Sequence, residues 1–125
     1  MKKLSLILIV LITALSASGQ QTIHVPGDYL SIQDGINAAN NGDVVLVDEG
    51  IYVENIFFNG KKITVASQFF IDGEESHIEN TIIDGSSASG EEWASVVHFN
   101  GGEDTTSILM GFTLINGEGY QNRMG

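Results

Sequence analysis

The sequence predicts an all-β fold in which short strands wind in one sense and stack as rungs of a solenoid, with one helix at the start. Three observations carry this. Residues 40–67, NNGDVVLVDEGIYVENIFFNGKKITVAS, hold three short apolar runs, at 44–47, 52–58 and 63–66, with breaks marked by Gly42, Gly50 and Gly60. The runs are rich in Val, Ile, Phe, Tyr and Thr, which suit a pleated buried surface, and each is too short to be a helix with its own apolar face. Second, Val44-Val45-Leu46-Val47 and Ile108-Leu109-Met110 are unbroken rather than alternating, as in strands covered on both faces or short rungs of a repeat. Third, Asn-Gly at 41–42 and 59–60 supplies residues that tolerate the positive φ of tight turns. A β-meander would use the same strands. The faint self-similarity of NIFFNGKKITV and VVHFNGGEDTTSILMGF favours winding in one sense.

Residues 1–19 are set apart first. Lys2 and Lys3 precede an apolar stretch over 4–15, and Ala17-Ser18-Gly19 offers small residues for cleavage, so the segment reads as a secretory signal peptide cut before Gln20. The apolar stretch is shorter than the roughly 20 residues a spanning helix needs. Residues 20–125 then form one domain, exported to the medium or the cell surface, with no membrane insertion after cleavage. Residues 22–25 form a first strand, ended by Pro26-Gly27. Ser31 opens a capping-box-like S-I-Q-D, and Ile32, Ile36 and Ala39 recur at helical spacing with Leu30 as a staple, so 31–40 is a short amphipathic helix. Gly35 weakens it by about 1 kcal/mol, so it needs a body to cover. A polar insert at 68–80 follows the three runs, with Phe69, Phe70 and Ile71 packing back onto the core. Further strands are expected at 81–85, 95–99 and 107–115, some seven in all, and 118–125 is a tail without core pattern.

Composition limits the partners. The chain has 125 residues, 16 Asp and Glu, and no cysteine. Without the leader, Lys61, Lys62 and Arg123 are the only Lys or Arg residues left against all 16 acids, a field that repels nucleic acid and anionic surfaces. An exported domain of this size without disulfides depends on core packing, bound metal or stacking on more chain.

The order VPGDYLSIQDGINAANNGDVVLVDEGIYVENI, residues 25–56, resembles the opening of right-handed parallel β-helix proteins of the pectin-lyase-like superfamily. TIIDG at 81–85 and GFTLING at 111–117 resemble later coils of exported bacterial members. The resemblance implies a right-handed parallel β-helix whose helix at 31–40 caps its open end, with residues 20–125 as the cap and first coils. It also implies a body that continues for more coils, so the chain is expected to be an N-terminal part that stacks on further coils or self-associates. Function is expected to be polysaccharide binding or surface contact, with no catalytic residues in this stretch. The alternative is the N-terminal part of a polysaccharide lyase or glycoside hydrolase with its active site downstream, so whether the parent is an enzyme stays open.

The residues themselves offer little chemistry. There is no Gly-x-Ser-x-Gly, no His-Glu-x-x-His, and no phosphate- or calcium-binding loop motif. His24, His77 and His98 have no local partner motif. The resemblance implies a base such as Arg or Lys working with calcium for elimination, yet Lys61-Lys62 reads as a solvated turn pair and Arg123 lies in the tail. Hydrolysis needs two acids held about 5 to 9.5 Å apart across a cleft. The candidates Asp72/Glu74/Glu75, Glu91/Glu92 and Glu103/Asp104 all sit in polar turns. The resemblance implies paired-Asp and Gly-His-Gly motifs for hydrolases, and neither occurs. Asp72, Glu74 and Glu75 form an oxygen-rich loop suited to calcium. Trp93 and Tyr120 are the candidates for stacking on sugar rings. No catalytic or cofactor-binding residue is assigned.

Overall fold

A computed structural model describes residues 19–88 and 93–119. The fold is β-rich, with short parallel strands in three sheets and few helices. In chain order the elements are β1 (Thr22–Val25), α1 (Ile32–Ala38), β2 (Val44–Val47), β3 (Gly50–Val53), β4 (Ile56–Phe57), β5 (Thr64–Ser67), α2 (Phe69–Asp72), α3 (Ser76–Asn80), β6 (Thr81–Asp84), β7 (Val97–His98), β8 (Ile108–Met110) and β9 (Thr113–Ile115). One sheet has the order β1-β2-β5-β8, the second β3-β6-β9, and the third β4-β7. Every strand pair among the described residues is parallel, which excludes the meander. The strands β2, β3 and β4 go to three different sheets, and β5 returns beside β2.

The register builds continuous apolar rows. Ile23, Val45, Val65 and Leu109 lie side by side across the first sheet. Ile83 lies between Tyr52 and Leu114 in the second, and Ile56 beside Val97 in the third. Apart from the exposed Leu114, these residues close one core with Val25, Val47, Phe58, Ile63 and Val96, into which α1 sends Ile32 and Ile36. β2 is buried at all four positions, as its unbroken apolar run requires.

The structure differs from the sequence expectation at several joints. The run 52–58 is two strands, not one, because the chain turns a corner at Glu54-Asn55. There the Asn55 amide donates to Gly85 O at 2.9 Å and Ser95 O at 3.0 Å, tying the corner to the next layer of chain. The run 107–115 also divides, at Gly111, whose φ of +82° favours glycine and whose Cβ would sit 2.4 Å from Ser67 Oγ. Among the described residues nine strands therefore replace the expected seven. The insert 68–80 forms α2 and α3, and of its three apolar residues only Phe69 is half-buried, while Phe70 and Ile71 are exposed. The helix spans Ile32–Ala38, with Ser31 as the N-cap accepting from Asp34 N. Leu30 is 85% exposed, so it is no staple.

Candidate functional site

The helix α1 packs on β1, β2 and β4. Gly35, costly for an isolated helix, is explained by closeness: a Cβ there would lie 3.0 Å from both Val25 Cγ2 and Val45 Cγ1. Polar side chains then fix the helix at both ends, with two attachments in its first turn. The Glu54 carboxylate accepts from Ile32 N at 2.9 Å and Gln33 N at 3.0 Å, filling two orphan donors of the first turn and complementing the helix dipole. The Lys61 ammonium donates to Ile36 O, Asn37 O and Ala39 O at 2.8, 2.8 and 2.7 Å. Lys61 is thus the C-terminal anchor of the helix, and the expected solvated pair holds only for Lys62, which meets Asp104 at 3.2 Å on the surface.

The Gln33 amide supplies the third attachment. It accepts from Phe57 N at 2.8 Å and donates to Phe57 O at 3.1 Å, taking the place of a neighbouring strand along the edge of β4. The edge of β1 is filled similarly. His24 N donates to Asp28 Oδ2 at 2.8 Å, and His24 O accepts from Asp28 N and Tyr29 N. The outward backbone groups of His24 and Phe57 are thereby already taken and offer nothing to an added strand.

An aromatic group covers the outer side of the third sheet. Phe57 and His98, paired in register, stack with ring centres 4.3 Å apart and planes 5° apart. Trp93 meets His98 edge-on at 5.6 Å, and its carbonyl lies 3.0 Å from His98 Nε2. Trp93 is 53% exposed. Phe99, also exposed, leans on the buried Phe58 at 4.4 Å. The other proposed stacking residue, Tyr120, lies outside the described residues, as do residues 1–18, Glu91, Glu92 and Arg123.

Of the acidic candidates, Asp72, Glu103 and Asp104 are engaged locally. Asp72 Oδ1 accepts from Glu74 N at 2.9 Å, and Asp72 Oδ2 lies 2.9 Å from His77 Nε2, while Glu49 Oε1 lies 2.7 Å from His77 Nδ1. Held between two carboxylates, Asp72 first and Glu49 second, the His77 imidazole is raised above its ordinary pKa. Glu74 and Glu75 are exposed beside this bridge, and among the described residues no group of three or more His, Asp or Glu is gathered to hold a metal ion. Desolvation pushes the Glu103 carboxyl up, but the N–H groups of Gly101, Gly60 and Asn100 outweigh it and hold it at about 2. Asp104 is held at about 2 by the Thr106 hydroxyl and N–H and by Lys62. Asp43, buried, is lowered by the N–H groups of Gln21 and Asn40. These carboxylates brace turns and do not face one another across a cleft.

The sequence reading missed Gln33, Glu54 and Lys61. Their spacing carries no motif, since each acts on a segment more than twenty residues away. Comparison with protein-family models, with curated proteins and with solved structures finds no match. No helix of the described residues is long and apolar enough to cross a membrane.

Proposed function

We propose that the chain is the helix-capped first part of a right-handed parallel β-helix of the pectin-lyase-like kind, exported to the medium or cell surface, where it binds polysaccharide or makes surface contacts. The observation that carries this reading is the sheet order. Each strand pairs in parallel with the equivalent strand of the next layer, and three sheets are visited in rotation. Parallel crossover connections are right-handed in nearly all folds, which supplies the hand. The covered edges of β1 and β4 suit a capped end, and the outer edges of β8 and β9 suit a further coil or a second copy. The engaged carboxylates support a binding role over catalysis in this stretch. The exposed Trp93 beside His98 and Phe57 offers an apolar face of the kind that stacks on a sugar ring. The net charge of −11 favours an uncharged glycan over a uronate.

Affinity electrophoresis in gels containing neutral or uronate polysaccharide tests the binding reading. Retardation by a neutral polymer is expected, and Trp93→Ala should abolish it with the circular dichroism unchanged. No retardation by either class would overturn polysaccharide binding. The fold is tested separately by nuclear Overhauser contacts along Ile23, Val45, Val65 and Leu109. Antiparallel contacts between successive strands would end it.

A further inference from the structure

Four Asn-Gly pairs stand in the sequence, at 41–42, 59–60, 100–101 and 116–117. At such a pair the glycine nitrogen can attack the asparagine side-chain carbonyl, because no Cβ stands in the way. The structure treats the four unequally. Gly42 N–H donates to Lys62 O at 2.8 Å, while Asn41 Oδ1 accepts from Lys62 N at 3.0 Å. Gly60 N–H and Gly101 N–H each donate to Glu103 at 2.8 Å, one to each carboxylate oxygen. Asn59 and Asn100 are tied to each other as well: Asn59 N donates to Asn100 Oδ1 at 3.0 Å, and Asn100 Nδ2 to Asn59 Oδ1 at 3.3 Å. A glycine nitrogen held in this way cannot lose its proton and turn toward the side chain until the bond breaks.

The fourth pair is arranged differently. Asn116 is exposed, with φ +56°, and its amide nitrogen donates to Asp84 Oδ1 at 3.0 Å. The Gly117 N–H has no hydrogen-bond partner among the described residues. The next backbone bond falls one residue later, from Glu118 N to Ala94 O at 3.0 Å. We propose that Asn116-Gly117 is a self-modification site that deamidates through a cyclic imide, while the folded chain holds the other three pairs against the same reaction. Gly117 N gives its proton to water and bonds to Asn116 Cγ. The Cγ–Nδ2 bond breaks, and ammonia leaves. Water then opens the ring at either carbonyl, giving aspartate or isoaspartate, with no change in oxidation state. The product sets a carboxylate where the amide had faced Asp84. Asp84 is itself kept ionised by the Asn116 amide and by Ser86. Repulsion therefore replaces a bond at the end of the β6–β9 ladder, where Asp84 is in register with Ile115.

The inference is tested by ageing the purified protein at mildly alkaline pH and mapping peptides by mass spectrometry with isoaspartate detection. Conversion at Asn116 should outrun that at Asn41, Asn59 and Asn100 by about tenfold or more, the factor set by breaking one hydrogen bond first. In denaturant the four pairs should convert at similar rates, and this comparison needs no variant. Glu103→Ala should release Asn59 and Asn100 but leave Asn116 unchanged. Conversion of Asn59 or Asn100 as fast as Asn116 in the native protein would overturn the proposal, as would a native Asn116 rate no higher than that of the held pairs.

Discussion

Lys61 and Lys62 are neighbours of one residue type, and the structure separates them sharply. Lys61→Met keeps the aliphatic stem and deletes the ammonium that serves three carbonyls at the end of α1. Two of those carbonyls, Ile36 O and Ala39 O, are partly buried, so water replaces the lost donor only from one side. Each partly buried bond contributes about 0.5 to 1 kcal/mol, and the positive charge at a helix C-terminus about 0.5 kcal/mol, so the expected loss is about 2 kcal/mol. For a domain of this size that lowers the melting temperature by roughly 10 °C. Lys62→Met removes only a surface pair with Asp104, both side chains being about half exposed, and should leave the transition where it was. Equilibrium urea unfolding of the two variants, with slopes compared to exclude denatured-state effects, reads the difference. Equal stability of the two would refute the assignment of Lys61 as a helix anchor.

Other predictions follow the same contacts. Ile36→Asp puts a carboxylate into the buried apolar core and should lose about 3 kcal/mol or more, whereas an unchanged melting point would reject the position of α1 over the core. Gln33→Glu deletes the donor to Phe57 O and faces that carbonyl with a like charge, at a cost of about 1.5 kcal/mol in the same unfolding assay. Glu103, held at about 2 against an ordinary 4.5, contributes stability that is complete above pH 4.5 and is lost as pH falls toward 2. Glu103→Gln should therefore be less stable at neutral pH with a shallower acid decline in thermal melts, and an unaltered decline would count against the N–H clasp. Gly101→Ala forces a Cβ to 2.5 Å from Gly60 N and should cost about 3 kcal/mol, while Gly102→Ala, with open space around it, should cost only the left-handed strain of about 1 kcal/mol.

What the sequence revealed and what it hid divide along physical lines. β1, β2 and β6 were legible because each is a short apolar or β-branched run bounded by turn residues, and local patterning alone decides such runs. The helix was legible from Ser31 and the spacing of Ile32 and Ile36. The corner at Glu54-Asn55 was not, because no glycine or proline marks it; the break is made by partners at Ile32, Gly85 and Ser95. Leu30 misled because staple spacing says nothing of whether a surface is near enough to receive it. The helices α2 and α3 were hidden because their apolar residues are too few for a period, and neither has a buried residue. Trp93 was visible as a candidate, but its neighbour His98 is set against Phe57 only through the register of β4 and β7.

The filled edges of β1 and β4 also bear on assembly. A chain that grows into filaments by adding strand to strand needs two complementary rims, one to offer and one to receive. At His24 and at Phe57 the outward backbone groups are already taken by Asp28, Tyr29 and Gln33. An incoming copy finds no hydrogen-bonding partner at those positions, so strand addition at His24 and Phe57 is blocked even where other edges are free.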